Sequence, residues 1–234
     1  MQLMPLLERL FPLGHSILRR DDVFSGSART AAGEVTLIGT ANRREVGIDD
    51  ALQLAAAVLA STREHPQRPI LMLVDTAGQR LSRRDELLGI NAYFAHLART
   101  LELARRRGAR LVTLVYGEAV SGGFLSFGLM ADQIYALAGA QIRVMDLRAM
   151  ARVTKQPLDK LEALSRSSPV FAPGVDNYVR MGAVESVWQD DLAAALLAAL
   201  ARPAEGDRRR ERGAERGGRT LACDVAAAVR AGEA

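Results

Sequence analysis

The stretch Leu111-Val112-Thr113-Leu114-Val115-Tyr116-Gly117-Glu118-Ala119-Val120-Ser121-Gly122-Gly123-Phe124 decides how this chain is read. It opens on a continuous apolar run, Leu111 to Val115, as a strand buried on both faces of a parallel sheet requires. Gly117 to Gly123 then reads as a glycine-containing turn, and Phe124 to Ala131 as an apolar, buried helix. Ile134 to Leu137 returns as a strand, and Gln141 to Met145 fits one more. Consecutive glycines opening a helix leave backbone N–H groups with no partner in the chain. Such donors, at the positive helix end, can hold a carbonyl oxygen that gains negative charge. Glycine suits the position because a side chain there would block a ligand. The plainer reading is a helix packed tightly on its sheet through glycine.

The same alternation extends toward the N-terminus. Val35 to Gly39 reads as a strand, and Gly47-Ile48-Asp49-Asp50 offers a turn with an Asp N-cap. Leu52, Ala55, Ala56 and Leu59 fall on one helical face. Ile70 to Val74 is a second continuous apolar run, broken by Asp75-Thr76-Ala77-Gly78. A glycine just past a strand lets the backbone turn so that its amide points outward. The plainer reading of Gly78 is an ordinary turn residue. Leu87, Ile90, Phe94, Leu97 and Leu101 then recur at helical steps, and Arg105, Arg106 and Arg107 close that helix ahead of Gly108.

Strands and helices at this pitch argue for right-handed βαβ units and an α/β fold with a parallel sheet core. Ligands in such sheets bind outside the carboxyl ends of the strands. That places the candidate site on the loops Asp75–Arg80 and Gly117–Phe124. Toward the C-terminus, Ala183 to Val187 reads as a short strand and Leu192 to Leu200 as an Ala/Leu helix.

Composition bounds the rest. A chain of 234 residues, 49% hydrophobic, is long enough for one full core plus an appendage. The organisation expected is one domain over 1–201, an Arg-rich flexible linker over 202–219, and a short C-terminal helix or tail over 220–234 that docks on a neighbour. The net charge of +4 is concentrated in that linker, which holds seven Arg against four acids. It lacks the aromatic and basic interleaving of a nucleic-acid platform, so no nucleic-acid partner is expected. Docking on an acidic carrier protein is the alternative to a solvated linker. Cys223 is the only cysteine, which excludes an internal disulfide and a thiolate zinc site, and no metal site is expected from three scattered histidines. The N-terminal apolar run is broken by Pro5, Glu8, Arg9 and Pro12 and does not read as a signal peptide. No stretch is long and apolar enough to suggest a membrane span, and a cytoplasmic location is expected.

Taken together, the two loops resemble a known pattern. Gly117-Glu118-Ala119-Val120-Ser121-Gly122-Gly123, followed by Ala131-Asp132-Gln133-Ile134, is similar to the oxyanion segment of the crotonase superfamily. Gly182-Ala183-Val184-Glu185-Ser186-Val187 resembles its late strand. Within that superfamily the resemblance is to the biotin carboxyltransferases, carried by Ala41-Asn42, Gly47-Ile48-Asp49, Leu73 through Gly78, Glu86 through Ile90, and Ile142 through Met145. The segment Asp146 to Arg152 and the single short domain make it closest to the gamma subunits of biotin-independent malonate decarboxylases. The likeness spans roughly Val35 to Leu200. It departs from the carboxyltransferases at Ala77, where they often have Pro, and at Asp146, where they usually have Gly, which weakens a biotin-binding role.

What the resemblance implies is a crotonase-like spiral of ββα units and a malonyl-thioester decarboxylase working as part of a heteromeric complex. The amides of Gly122, Gly123 and Gly78 would form the oxyanion pocket. Ser121, Gln79 and Phe124 would contact substrate, and Asp75 and Glu118 would give polar support. No cofactor is expected on this chain. The acyl group would ride on a modified dephospho-coenzyme A arm of an acyl-carrier protein subunit, and a coenzyme A-like ligand is admitted. The implied partners are the beta subunit, the acyl-carrier protein and an acyl-carrier transferase.

Three other readings stay open. Ser121 resembles the nucleophile of Clp-type serine proteases, but His15, His65 and His96 all precede it, whereas that family's base follows. A stand-alone hydratase needs a second carboxylate beside Glu118. A structural subunit would use the glycines for packing alone.

Overall fold

The computed structural model describes residues 1–167, 173–203, 206–218 and 220–232. The chain opens with helix α1 (Leu3–Leu10) and an antiparallel pair, β1 (His15–Arg20) and β2 (Val23–Thr30), that the sequence did not announce. β2 pairs antiparallel with β3 (Gly33–Thr40). From there the pattern is the expected one. A two-residue strand β4 (Glu45–Val46) leads into helix α2 (Ile48–Glu64), then β5 (Ile70–Thr76), the two-residue β6 (Gly78–Gln79), and helices α3 (Arg83–Leu87) and α4 (Ile90–Arg106). β7 (Leu111–Val120), helix α5 (Ser121–Leu125), β8 (Gln133–Leu137) and β9 (Gln141–Arg143) complete the centre.

Among the described residues the main sheet is eight-stranded, in the order β1-β2-β3-β5-β7-β8 and then the late strand β10 (Ser186–Trp188), with β9 pairing β7 beyond the end of β8. Every pairing after β3 in this sheet is parallel. The continuous apolar runs follow from helices on both faces. Ile70, Met72 and Val74 point into a core with Leu54, Val58, Leu97 and Leu101 of α2 and α4. Leu71 and Leu73 point the other way, into a core with Leu6 and Leu10 of α1 and with Leu192 and Leu196 of helix α9 (Leu192–Ala201). Alternate side chains of one strand thus feed opposite cores, and none is left for solvent.

Several expectations shift. The buried face of α2 is Ala51, Leu54, Ala55 and Val58, while Leu52 is exposed; a helix this rich in apolar residues offers more than one stripe. Gly47 is the N-cap, and Asp50 sits at the third helical position, where its carboxylate accepts the Gly47 N–H at 2.8 Å. Leu87 lies exposed on α3, separated from α4 by Gly89. β7 runs on to Val120 because β9 pairs with Glu118, Ala119 and Val120, so the expected turn shrinks to Ser121. Phe124 to Ala131 is not one helix: α5 ends at Leu125 and a 3-10 turn takes Gly128–Met130. The late strand is β10, offset from the expected Ala183–Val187.

After β9 come α6 (Leu147–Thr154), α7 (Leu158–Ser167) and α8 (Val175–Arg180), then β10 and α9. The stretch expected as a flexible linker carries α10 (Arg209–Glu215), followed by α11 (Thr220–Ala231). Arginines seat α10. Glu185, 8% exposed, pairs with Arg202 at 3.1 Å and with Arg212, and the Arg216 guanidinium donates to the carbonyls of Val179, Val184 and Glu185. A composition reading sees only charge here; the ordering comes from a buried acid elsewhere in the chain.

Candidate functional site

β5 and β7 run side by side and both end at one edge of the sheet, with Thr76 paired to Ala119 across a bulge. Just past β5, Gly78 turns the chain at φ +116, a conformation that a side chain disfavours. The two residues of β6 then pair in parallel with β4, which fixes Gly78 and Gln79 beside the start of α5. The approach is close: a β-carbon on Gly123 would lie 2.6 Å from the Gly78 carbonyl oxygen. Gly123 therefore lets the two loops touch.

Two of the three expected backbone donors are already engaged. The Gly122 N–H donates to Gln79 Oε1 at 3.0 Å. The Gly78 N–H donates to the Thr76 hydroxyl at 3.1 Å, and that hydroxyl donates to the Arg44 carbonyl at 2.6 Å. Phe94 of α4 walls the same spot, its ring 3.4 Å from where a Gly122 β-carbon would be. Since α5 has five residues, its summed dipole is small, and what it offers is its individual first-turn amides.

Ser121 is held at φ +46, a strained conformation for a residue with a side chain, at the strand-to-helix corner. His65 and His96 are exposed, His15 lies on the edge strand β1, and none of the three bonds to Ser121. Phe124, expected at the substrate, is 1% exposed and belongs to the helix-side core, so it supports the corner from below.

Asp75 and Glu118 have distinct surroundings. Asp75 Oδ1 accepts the Glu118 N–H at 2.9 Å and Oδ2 accepts the Arg43 N–H at 3.1 Å, which ties the β3–β4 loop to β7. The Glu118 carboxylate lies between two guanidinium groups, Arg43 at 2.8 Å and Arg143 at 2.7 Å. Sequence reasoning gives no role to these two arginines or to Thr76. They come from three separate segments, and no local spacing marks them.

A second ion network braces β6. The Arg80 guanidinium lies over Gly47 and donates to the fully buried Asp85 at 2.6 Å. Arg84 adds contacts to Asp85 and to Asp49. Hydrogen bonding to Arg80 holds the Asp85 carboxyl below its usual range, against the opposing effect of burial. On the far side of the β5–β7 edge, burial pushes the Tyr116 hydroxyl far above its usual range, and it donates to the Thr40 carbonyl at 2.8 Å. It is a structural donor, not an acid. Among the described residues no group of His, Cys, Asp and Glu could hold a metal ion, and no helix is long and apolar enough to cross a membrane.

Comparison with known proteins places this geometry. The fold is shared with the transcarboxylase 12S core at a TM-score of 0.71 and 20% identity, over 87% of this chain and 43% of that one. A Pseudomonas malonate decarboxylase hetero-tetramer in complex with coenzyme A contains a chain 28% identical, superposing at a TM-score of 0.80 over 96% of this chain and 97% of that one. A curated relative is the malonyl-S-ACP:biotin-protein carboxyltransferase MADD of Malonomonas rubra, 34% identical over an alignment of 154 residues that covers 62% of this chain. The chain spans about half the length of that relative, 53%. Sheet, loops and relatives together define a carboxyltransferase-like protein of crotonase fold. The family model for the malonate decarboxylase gamma subunit matches residues 41–233, and the chain belongs to that family.

Proposed function

We propose that this chain acts with a beta subunit to decarboxylate a malonyl thioester, carried on an acyl-carrier protein, to the acetyl thioester and carbon dioxide. The observation that carries this reading is the Gly122 N–H, presented at the corner where β7 meets α5 and facing Gln79 on β6. In the reaction the bond between the carboxylate carbon and the α-carbon breaks. Its electron pair becomes the enolate, whose charge collects on the thioester oxygen. Carbon dioxide leaves, and a proton then adds to the α-carbon. A preorganised amide aimed at an oxygen that gains charge is worth about 100- to 1,000-fold in kcat.

In this reading Gly122 donates to the reacting group, with Gly123 next in the same turn. Gly78, whose N–H is held by Thr76, shapes the backbone instead of donating. Ser121 lines the corner. Asp75 and Glu118 hold the loops and do not touch substrate. The carrier arm is a modified dephospho-coenzyme A on another subunit, and the solved coenzyme A complex of the Pseudomonas relative supports a ligand of that kind. A transferase subunit would load the carrier, and the complex would work in the cytoplasm.

The beta subunit is the proposed facing partner, as in the Pseudomonas MdcD-MdcE hetero-dimer, which contains a chain 28% identical to this one. Leu81, Leu87 and Leu88 just after β6 and Leu125 at the end of α5 are all exposed large apolar side chains on the segments that carry the site. Exposure of that kind suits a surface that a partner covers.

The test is release of carbon dioxide from malonyl-coenzyme A by this chain, by the beta subunit and by the mixture. Activity in the mixture alone supports a shared site. Full activity in the beta subunit alone makes this chain a scaffold. The likeness to MADD favours one second reading, carboxyl transfer to a biotin protein. Release that requires a biotinylated carrier and is blocked by avidin would select it.

A further inference from the structure

Gln79 has a place in the site beyond the substrate contact that the resemblance implies. Its side-chain oxygen accepts the Gly122 N–H at 3.0 Å, so it occupies the position where an oxygen of a ligand would accept that same bond. The backbone of Gln79 is fixed by the β4–β6 pairing, and the Arg80 network anchors the residue that follows it. Its side chain is only half-buried, so it is not locked in the core. A backbone N–H in a partly closed corner costs free energy when it has no acceptor. Gln79 supplies one whenever the site is empty.

We infer that Gln79 is a self-displacing plug: its carboxamide caps the Gly122 amide in the free protein and yields to an anionic or charge-gathering oxygen of the ligand. The inference deepens the decarboxylase reading and rests on it for the identity of the ligand. Its physical basis is a difference in acceptor strength. The carboxamide is neutral, and hydrogen bonds to ionised acceptors are roughly twice as strong as neutral ones. A carboxylate or enolate oxygen therefore wins the exchange, while a neutral oxygen competes about evenly. The plug raises the threshold for occupancy and favours ligands that bring charge. Two oxygens of the substrate fit that chemistry, the thioester oxygen and the carboxylate that is lost.

Removing the plug removes a cost that the transition state carries in full, so kcat/KM rises: through KM where the carboxylate displaces the plug, and partly through kcat where the thioester oxygen does, because that oxygen is neutral until carbon dioxide leaves. In the complex reconstituted with its beta subunit, Gln79→Ala raises kcat/KM for malonyl-coenzyme A by about two- to tenfold, the span of one neutral hydrogen bond. Gln79→Glu, whose carboxylate holds the amide more tightly and repels an anion, raises KM. Two inhibitors locate the displacing oxygen. Tighter acetyl-coenzyme A binding in Gln79→Ala assigns the pocket to the thioester, and tighter malonate binding assigns it to the carboxylate. An alanine variant that tightens neither, or weakens both, overturns the plug. Amide hydrogen exchange in the full chain decides independently of turnover. Gly122 is protected in the wild type and exchanges faster in Gln79→Ala; equal rates would refute the capping. A wild-type complex without decarboxylase activity removes the decarboxylase reading, while the exchange result still stands for or against the cap.

Discussion

The Oδ1 atom of Asp75 lies 2.3 Å from the point where a β-carbon on Gly117 would sit, so the ends of β5 and β7 interlock only because Gly117 has no side chain. The same carboxylate holds the amides of Glu118 and Arg43. Gly117→Ala should push Asp75 away and release both amides. A loss of about 3 kcal/mol is expected from two hydrogen bonds to a charged acceptor. Urea denaturation measures it, and a loss under about 0.5 kcal/mol, the range of a neutral surface substitution, would show that the carboxylate moves aside freely.

Gly122→Ala tests the chemistry apart from stability. A β-carbon there meets Gln79 Oε1 at 3.0 Å and the Phe94 ring at 3.4 Å, both ends of side chains that can shift. The fold should survive, and kcat of the reconstituted complex should fall by about 100-fold as the amide is screened from its oxygen. Normal assembly with full turnover would make the glycine a packing residue.

The Arg80–Asp85 pair sets an acid limit. The folded state lowers the Asp85 pKa, so the contribution is complete above the unfolded value of about 3.9 and is lost as pH falls below it. Asp85→Asn should cost about 2 kcal/mol at neutral pH and flatten the fall in stability below about pH 4. Denaturation midpoints across that range decide it. Unchanged curvature in the variant would assign the acid sensitivity to other carboxylates.

Leu88→Glu places a charge on the exposed apolar surface after β6, 51% exposed in this chain. It should leave the chain folded and weaken its association with the beta subunit by at least about tenfold, as burying an unpaired charge at an interface does. Analytical ultracentrifugation of the mixture reads this directly; undiminished association would move the interface elsewhere.

Glu185→Ala should loosen α10 by leaving Arg202 and Arg212 without their shared acid. Trypsin cutting at Arg208–Arg216 should speed up several-fold while the sheet core resists. An unaltered cleavage rate would mean that the contacts of Arg216 with backbone carbonyls suffice to hold the helix.

How much was legible depended on whether the cause was local. β5, β7 and β8 show in the sequence because burial on both faces writes an unbroken apolar run. Gly117, Gly122 and Gly123 announced a close backbone approach, which the structure places against Asp75, Gln79 and Gly78. β1 and β2 left little trace: Ser25, Gly26 and Ser27 do not alternate, and Leu18 is exposed. The buried face of α2 is not legible because its Ala, Leu and Val residues fit more than one helical stripe. The resemblance implies a substrate contact for Phe124, whereas its side chain lies in the core beneath the short α5. The occupancy of the Gly122 and Gly78 amides had no sequence signal at all, since the acceptors are side chains whose rotamers only the assembled loops decide.

The pairing of Glu185 with arginines beyond α9 also bears on descent. A lineage that shed everything after Ala201 would strand a carboxylate in the protein interior, and one that neutralised Glu185 first would release the arginines to drift. Losing either side alone leaves charge unpaired, so the segment after α9 and the acid that receives it stand or fall as one unit, although 17 positions separate Glu185 from Arg202.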